Sequence, residues 1–207
     1  MKPILALLVG LFLLAAARPS SGGEFNEVLS VGDAAPAWTK LPGTDGKEHS
    51  LADLADKPVV VVVFTCGSCP VAADYEGRIG DLIKAHAGAD GKVAVVPICV
   101  NNVAGDDLEA LKKRVADRKL PFQYLHDKTQ KIAKDYGANT TPEFFVLNKD
   151  RKVVYMGALD DSTAPDKVKA RYVDDALAAA LAGKPPETKE VLARGCRIRY
   201  ARERRGS

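Results

Sequence analysis

Four cysteines carry the chemistry open to this chain, and two of them are separated by only two residues. They close the stretch Val59-Val60-Val61-Val62-Val63-Phe64-Thr65-Cys66-Gly67-Ser68-Cys69-Pro70. A Cys-x-x-Cys pair delivered by a strand to a helix N-terminus is the arrangement of a redox-active dithiol. Zinc would require a second Cys/His pair at ligand spacing, and Cys99 and Cys196 stand alone. A purely structural bridge between Cys66 and Cys69 would close so short a loop that it would constrain the unfolded chain little.

The spacing also suggests roles. Pro70 lacks an N–H and its ring suits only a first helical turn, so Ser68 is predicted as the N-cap, with Cys69 and Pro70 at the first two helical positions. The unpaired N–H groups and partial positive charge of that turn stabilise a thiolate, and Cys69 lies deepest in their field. Cys66, one loop earlier, is expected to be the more exposed thiol. It is therefore assigned as attacking nucleophile and Cys69 as resolving thiol, although the sequence leaves the reverse assignment open.

The elements that must position this pair are legible around it. Val59 to Phe64 are six apolar residues in a row, five of them β-branched, the pattern of a strand buried on both faces. Val71, Tyr75, Ile79, Leu82 and Ile83 then recur at helical spacing, and residues 93–100 form a second buried strand. Asp106 or Asp107 caps a helix carrying Leu108, Leu111 and Val115 on one face. A short strand at 122–125, a short helix at 131–136, strands at 143–147 and 152–156 joined by a turn, and a helix carrying Val168, Tyr172, Val173, Ala176, Leu177, Ala180 and Leu181 complete the pattern. Upstream, Thr44-Asp45-Gly46-Lys47 is a tight turn, and Ser50 with Asp53 forms a capping box. This order implies an α/β fold, a central mixed β-sheet with helices on both faces.

Residues 1–17 read as a signal peptide, with Lys2, an apolar run over 4–14 and Ala15-Ala16-Ala17 as the cleavage region. The alternative is an uncleaved N-terminal membrane anchor. Residues 18–30 are expected to be a flexible leader, 31–185 the domain, and 186–207 a C-terminal extension with a basic tail. Export to the periplasm or exterior would let disulfides persist, and four cysteines allow full pairing. The formal charge is +3. Six arginines from Arg194 to Arg205, against Glu203, put five positive charges in the tail and leave the remainder at −2. Such a distribution excludes a nucleic-acid surface and allows at most peripheral contact of the tail with anionic lipid.

Three features together resemble the thioredoxin superfamily, specifically its exported thioredoxin-like and peroxiredoxin-like (redoxin) branch. They are the strand with Cys66-Gly67-Ser68-Cys69-Pro70, the segment Thr140-Thr141-Pro142-Glu143-Phe144-Phe145-Val146, and the strand Lys152-Val153-Val154-Tyr155-Met156-Gly157. The resemblance implies a thioredoxin-like fold with a cis Thr141–Pro142 bond beside the dithiol, and it makes Thr141 and Pro142 the substrate-binding edge. It also exposes departures. Val60 stands where thioredoxin has a buried acid, leaving Glu76 as a weak substitute proton relay. If Cys69 is aligned with the peroxidatic cysteine of peroxiredoxins, Cys66 occupies the place of their threonine and Glu143 that of their arginine. Fast peroxidase chemistry is thereby disfavoured, since the leaving oxygen needs such donors.

Cys99 reads by default as a small buried apolar residue. Cys196 is either a second resolving thiol near the site or a tail residue, and its flanking arginines would favour a thiolate. His49, His86 and His126 are scattered, and none lies near Pro142; His126 is expected to face solvent, so no metal site is assigned. The expected function is an exported thiol–disulfide oxidoreductase, with a peroxidase or a non-catalytic metal-binding module as rivals. It needs no bound organic cofactor. Its partners would be disulfide-containing proteins or thiols, plus a dithiol partner for regeneration.

Overall fold

The computed structural model describes residues 22–86 and 91–202. The signal-peptide reading of residues 1–17 lies outside them. In chain order the elements are β1 (Leu41–Pro42), β2 (Glu48–His49), β3 (Val59–Thr65), α1 (Pro70–His86), β4 (Val93–Cys99), α2 (Leu108–Arg118), β5 (Leu125–His126), α3 (Lys131–Asp135), β6 (Thr140–Thr141), β7 (Glu143–Leu147), β8 (Val153–Gly157), α4 (Tyr172–Leu181), β9 (Glu190–Val191) and β10 (Cys196–Arg197).

The main sheet runs β5-β4-β3-β7-β8-β9. β3 lies parallel to β4 and antiparallel to β7, so it sits at the centre of a mixed sheet. All seven residues of β3 are buried, as its unbroken apolar run requires. Side chains of a strand alternate between faces. Val59, Val61 and Val63 accordingly pack with Tyr75, Ile79, Leu111, Val173 and Leu177 on the face covered by α1 and α4. Val60, Val62 and Phe64 pack with Trp38, Ile132, Tyr136 and Phe145 on the other. Phe64, Tyr136 and Phe145 meet edge to face, with centroids 5.2–5.6 Å apart. Helices thus cover both faces of the mixed sheet, the thioredoxin-like arrangement.

Four expectations need correcting. Residues 22–30 are not a free leader over their described length: the Asn26 side chain accepts the Val28 and Leu29 N–H groups and donates to the Tyr136 carbonyl at 2.8 Å, and Leu29 is buried in the core. The fifth strand starts at Leu125 rather than at 122, because the Tyr124 backbone is committed to Thr44, exchanging bonds of 2.9 and 3.2 Å with it. Val168 precedes α4, lying just after a short 3₁₀ turn at Pro165–Lys167. The C-terminal segment is also more than an appendage, since β9 extends the main sheet beside β8 and β10 pairs with β6.

Candidate active site

β3 ends at Thr65 and sets Cys66 immediately beyond it. The next three residues turn into α1, whose first residue is Pro70. The N-cap is Cys69 rather than Ser68. Its carbonyl accepts the Ala73 N–H at 3.0 Å, and its sulfur accepts the Ala72 N–H at 3.4 Å. That places Cys69 Sγ at the positive end of the helix, where a thiolate is favoured.

Ser68 has a different task. Its hydroxyl donates to Asp106 Oδ2 at 2.5 Å, while the Gly67 and Ser68 N–H groups both donate to Asp106 Oδ1 at 2.7 and 2.8 Å. Asp106 is buried, so its carboxylate exchanges water for these three donors and clamps the loop between the two cysteines. The sequence carried a signal for this that went unused: one aspartate suffices to cap α2, and Asp107 does so through the Ala110 N–H at 2.9 Å. The second aspartate was free for another role.

The sulfurs are not paired as their spacing suggests. Cys69 is bonded to Cys196, 127 residues away, whereas Cys66 and Cys99 are free. Cys66 is 0% exposed and Cys69 3%, so the expectation that Cys66 is the more exposed thiol is overturned. Cys196 is partly exposed. The pairing has a tertiary cause: β10 lies antiparallel on β6, with Cys196 opposite Thr141 and Arg197 opposite Thr140, which brings Cys196 to Cys69.

Thr141 is the hub of the site. The Thr141–Pro142 bond is cis, and the residue is wholly buried. Thr141 Oγ1 is hydrogen-bonded to Cys66 Sγ at 3.4 Å and donates to the Cys196 carbonyl at 3.5 Å, while its own carbonyl oxygen lies 3.4 Å from Cys69 Sγ. One residue therefore touches all three cysteines. Gly195 makes this docking feasible, because a β-carbon there would overlap the Thr141 carbonyl. Beyond Cys196 the chain is anchored by the Ile198 N–H to the Asn139 carbonyl, by Gln130 to the Arg199 carbonyl and the Ala201 N–H, and by the Tyr200 hydroxyl to the Ala138 carbonyl. Sequence reasoning missed Gln130 and Asn101 (which accepts the Arg199 N–H), and their local sequence carries no sign of this use.

Glu76 and His126 make no hydrogen bond to the sulfurs around Thr141 among the described residues, whereas Cys99 lies beside the Cys66–Gly67 loop. Glu76 is buried and bound by Arg114, by Arg118 at 2.8 Å and by the Tyr124 hydroxyl at 2.7 Å, so it joins α1 to α2 instead of serving the dithiol. Cys99 donates to the Asp106 carbonyl at 3.6 Å, and burial, then the nearby Asp106 charge, push its pKa strongly upward; this keeps it a thiol. His126 is 7% exposed rather than solvent-facing, and burial lowers its pKa.

Glu143 follows Pro142 and turns back to accept the Asn139 and Thr140 N–H groups at 2.8 and 3.0 Å. It thereby fixes the approach to Thr141. Burial raises its pKa, more than those bonds lower it. A carboxyl whose folded pKa is raised contributes stability below the unfolded pKa and loses it as pH climbs through the folded one. Stability of the wild-type protein should therefore carry a component that declines from the ordinary carboxylate range upward, and Glu143→Gln should flatten it. Denaturant midpoints across the acid-to-neutral range check this; a variant profile parallel to the parent's would refute it.

Residues 31–156 match the AhpC/TSA family. Chloroplastic peroxiredoxin Q of rice (Oryza sativa subsp. japonica) is 30% identical over 151 residues, 68% of this chain and 66% of that protein, so the chain spans just under two-thirds of that relative's length. A hypothetical protein of Sinorhizobium meliloti superposes with a TM-score of 0.76 at 30% identity, over 85% of this chain and 97% of the other. A conserved protein of Geobacillus kaustophilus gives 0.76 at 31%, over 84% and 94%. Because the family match runs from before the first hairpin through β3, the dithiol loop and β7 into β8, the chain belongs to the AhpC/TSA family.

Proposed function

We propose that the protein is a thiol–disulfide oxidoreductase whose central sulfur is Cys69. The observation that carries this reading is the Cys69–Cys196 disulfide, formed at the cis-proline loop with a third, free sulfur, Cys66, on the same threonine. In the reduced protein the Cys69 thiolate, held by the Ala72 N–H, attacks a substrate disulfide and forms a mixed disulfide. Cys196 attacks Cys69, releases the substrate thiolate, and leaves the bridge seen here. Cys66 then competes for Cys69: its attack makes Cys66–Cys69 and frees Cys196, a transfer that changes no oxidation state. This relay joins the Cys-x-x-Cys expectation to the observed bridge. The cysteines do the redox work, and a partner dithiol restores them. Residues 1–17 support export as the setting, where such bridges persist.

Kinship with peroxiredoxin Q favours a second reading, peroxide reduction at Cys69. The residues at hand argue against its being fast. A thiol and a carboxylate, Cys66 and Glu143, stand where donors to peroxide would be needed, and Glu143 is spent on backbone N–H groups. Stopped-flow oxidation of the reduced protein should accordingly be slow with hydrogen peroxide and faster with a protein disulfide. A peroxide rate near the diffusional ceiling of about 10⁸ M⁻¹s⁻¹ would replace the exchange reading with the peroxidase one.

A further inference from the structure

The two sulfurs of the Cys69–Cys196 bridge are unequal, and the inequality fixes where a partner thiol can react. Cys69 is 3% exposed and is shut in by the first turn of α1 and by the Thr141 carbonyl. Cys196 is partly exposed, on a strap that runs from β9 over the site to the anchor at Ile198. Thiol–disulfide exchange depends on which sulfur is reachable and on how well the other leaves. Here both criteria agree. The outer sulfur is Cys196, and the leaving sulfur, Cys69, is the one whose thiolate the helix N-terminus favours.

The strap is also charged. Arg194, Arg197 and Arg199 are all exposed, and none forms an ion pair among the described residues. Among the described residues the Arg194 side chain donates one hydrogen bond, to the Asp161 backbone carbonyl at 3.4 Å. Of the acids on the surrounding elements, Asp160 is paired with Arg78 at 2.6 Å, while Asp161, Glu143 and Glu190 hold backbone N–H groups rather than these arginines. Three exposed cations thus stand within three residues of Cys196 in the chain, and charges this near in sequence act on an approaching ion most strongly at low salt.

Building on the exchange reading above, we infer that Cys196 is the sulfur at which partners react, and that its arginine strap selects an anionic thiol. The partner thiolate attacks Cys196 Sγ, the Cys69–Cys196 bond breaks, and Cys69 departs as thiolate. A second thiol of the partner then attacks the partner's own sulfur in the mixed disulfide and releases the Cys196 thiolate. The partner gains a disulfide, the protein gains two thiols, and two electrons have moved inward.

The test reduces the oxidised full-length protein with 2-mercaptoethanesulfonate, 2-mercaptoethanol and cysteamine, each rate normalised to the same thiol acting on a neutral small disulfide. The anionic thiol should be favoured over the cationic one by about tenfold or more at low salt, the lower end of electrostatic steering. The preference should collapse in 1 M salt, and in Arg194→Gln/Arg197→Gln the ratio should fall towards one. Quenching by alkylation early in the reaction, then peptide mapping, should find the thiol adduct on Cys196 and the alkyl group on Cys69. Equal normalised rates for the three thiols, or an adduct on Cys69, would overturn this inference with the exchange reading intact. A bridge that none of the three thiols opens in the folded protein would instead overturn the exchange reading itself.

Discussion

Cys69→Ser should reduce thiol–disulfide exchange to the level of a protein-free control, whereas Cys66→Ser should still form the Cys69–Cys196 bridge and retain exchange at a lower rate. Cys69 is the only sulfur placed both at the helix N-terminus and in a covalent bond, so every step of the proposed cycle passes through it. Cys66 acts only in the transfer that frees Cys196. Cys196→Ser should trap mixed disulfides on Cys69 whenever Cys66 is also replaced. It also deletes a cross-link between residues 127 apart, worth about 4–5 kcal/mol if chain entropy alone counts. Exchange with a model protein disulfide, with mass spectrometry of trapped adducts, checks the series. If Cys66→Ser abolishes all attack while Cys69→Ser accumulates adducts on Cys66, Cys66 is the attacking thiol and the central role given to Cys69 fails.

The second large effect concerns stability. Glu76→Ala should cost about 3–5 kcal/mol, towards the lower end, because removing one partner of a buried pair leaves the others uncompensated. Arg114 and the Tyr124 hydroxyl would lose their shared acceptor inside the protein, while Arg118, half exposed, can return to water. Glu76→Gln keeps an acceptor for part of the cluster and should cost about 1–3 kcal/mol. Denaturant midpoints measure both. Exchange kinetics separate the structural role from a proton relay: the Glu76→Gln protein, still folded, should exchange disulfides at close to the parent's rate. A collapse of exchange with little change in midpoint would restore Glu76 as a relay to the dithiol.

Stability and chemistry are thus divided between the two sides of α1. Its first turn holds Cys69. Its middle is fixed by Glu76 to α2 and by Arg78 to Asp160, the latter at 2.6 Å. Neither anchor touches a sulfur, so the helix is positioned by groups whose loss would be felt as unfolding rather than as altered redox chemistry.

What the sequence determined by itself was whatever depends on short spacing. Val59 to Phe64, apolar without interruption, could only be a strand buried on both sides, and β3 is central. Pro70 had to open a helix, because its ring is tolerated only in the first turn, and α1 begins there. Asp45-Gly46 had to turn, and Ser50 with Asp53 had to cap. The order of elements made the mixed sheet legible and the family resemblance marked the proline loop, whereas the spacing of Cys66 and Cys69 named candidate redox sulfurs without their pairing. The tertiary structure decided what depends on segments far apart in the chain meeting in space. Nothing local to Cys69 announces that its partner is Cys196 rather than Cys66; that follows from β10 settling on β6, from a glycine at 195 small enough to pass Thr141, and from Gln130 and Asn101 anchoring the strap beyond it. Asp106 likewise read as a possible helix cap and Glu76 as a weak proton-relay candidate until the fold removed water from them and supplied the donors. A buried carboxylate must find such partners, and only the assembled chain determines which ones it finds.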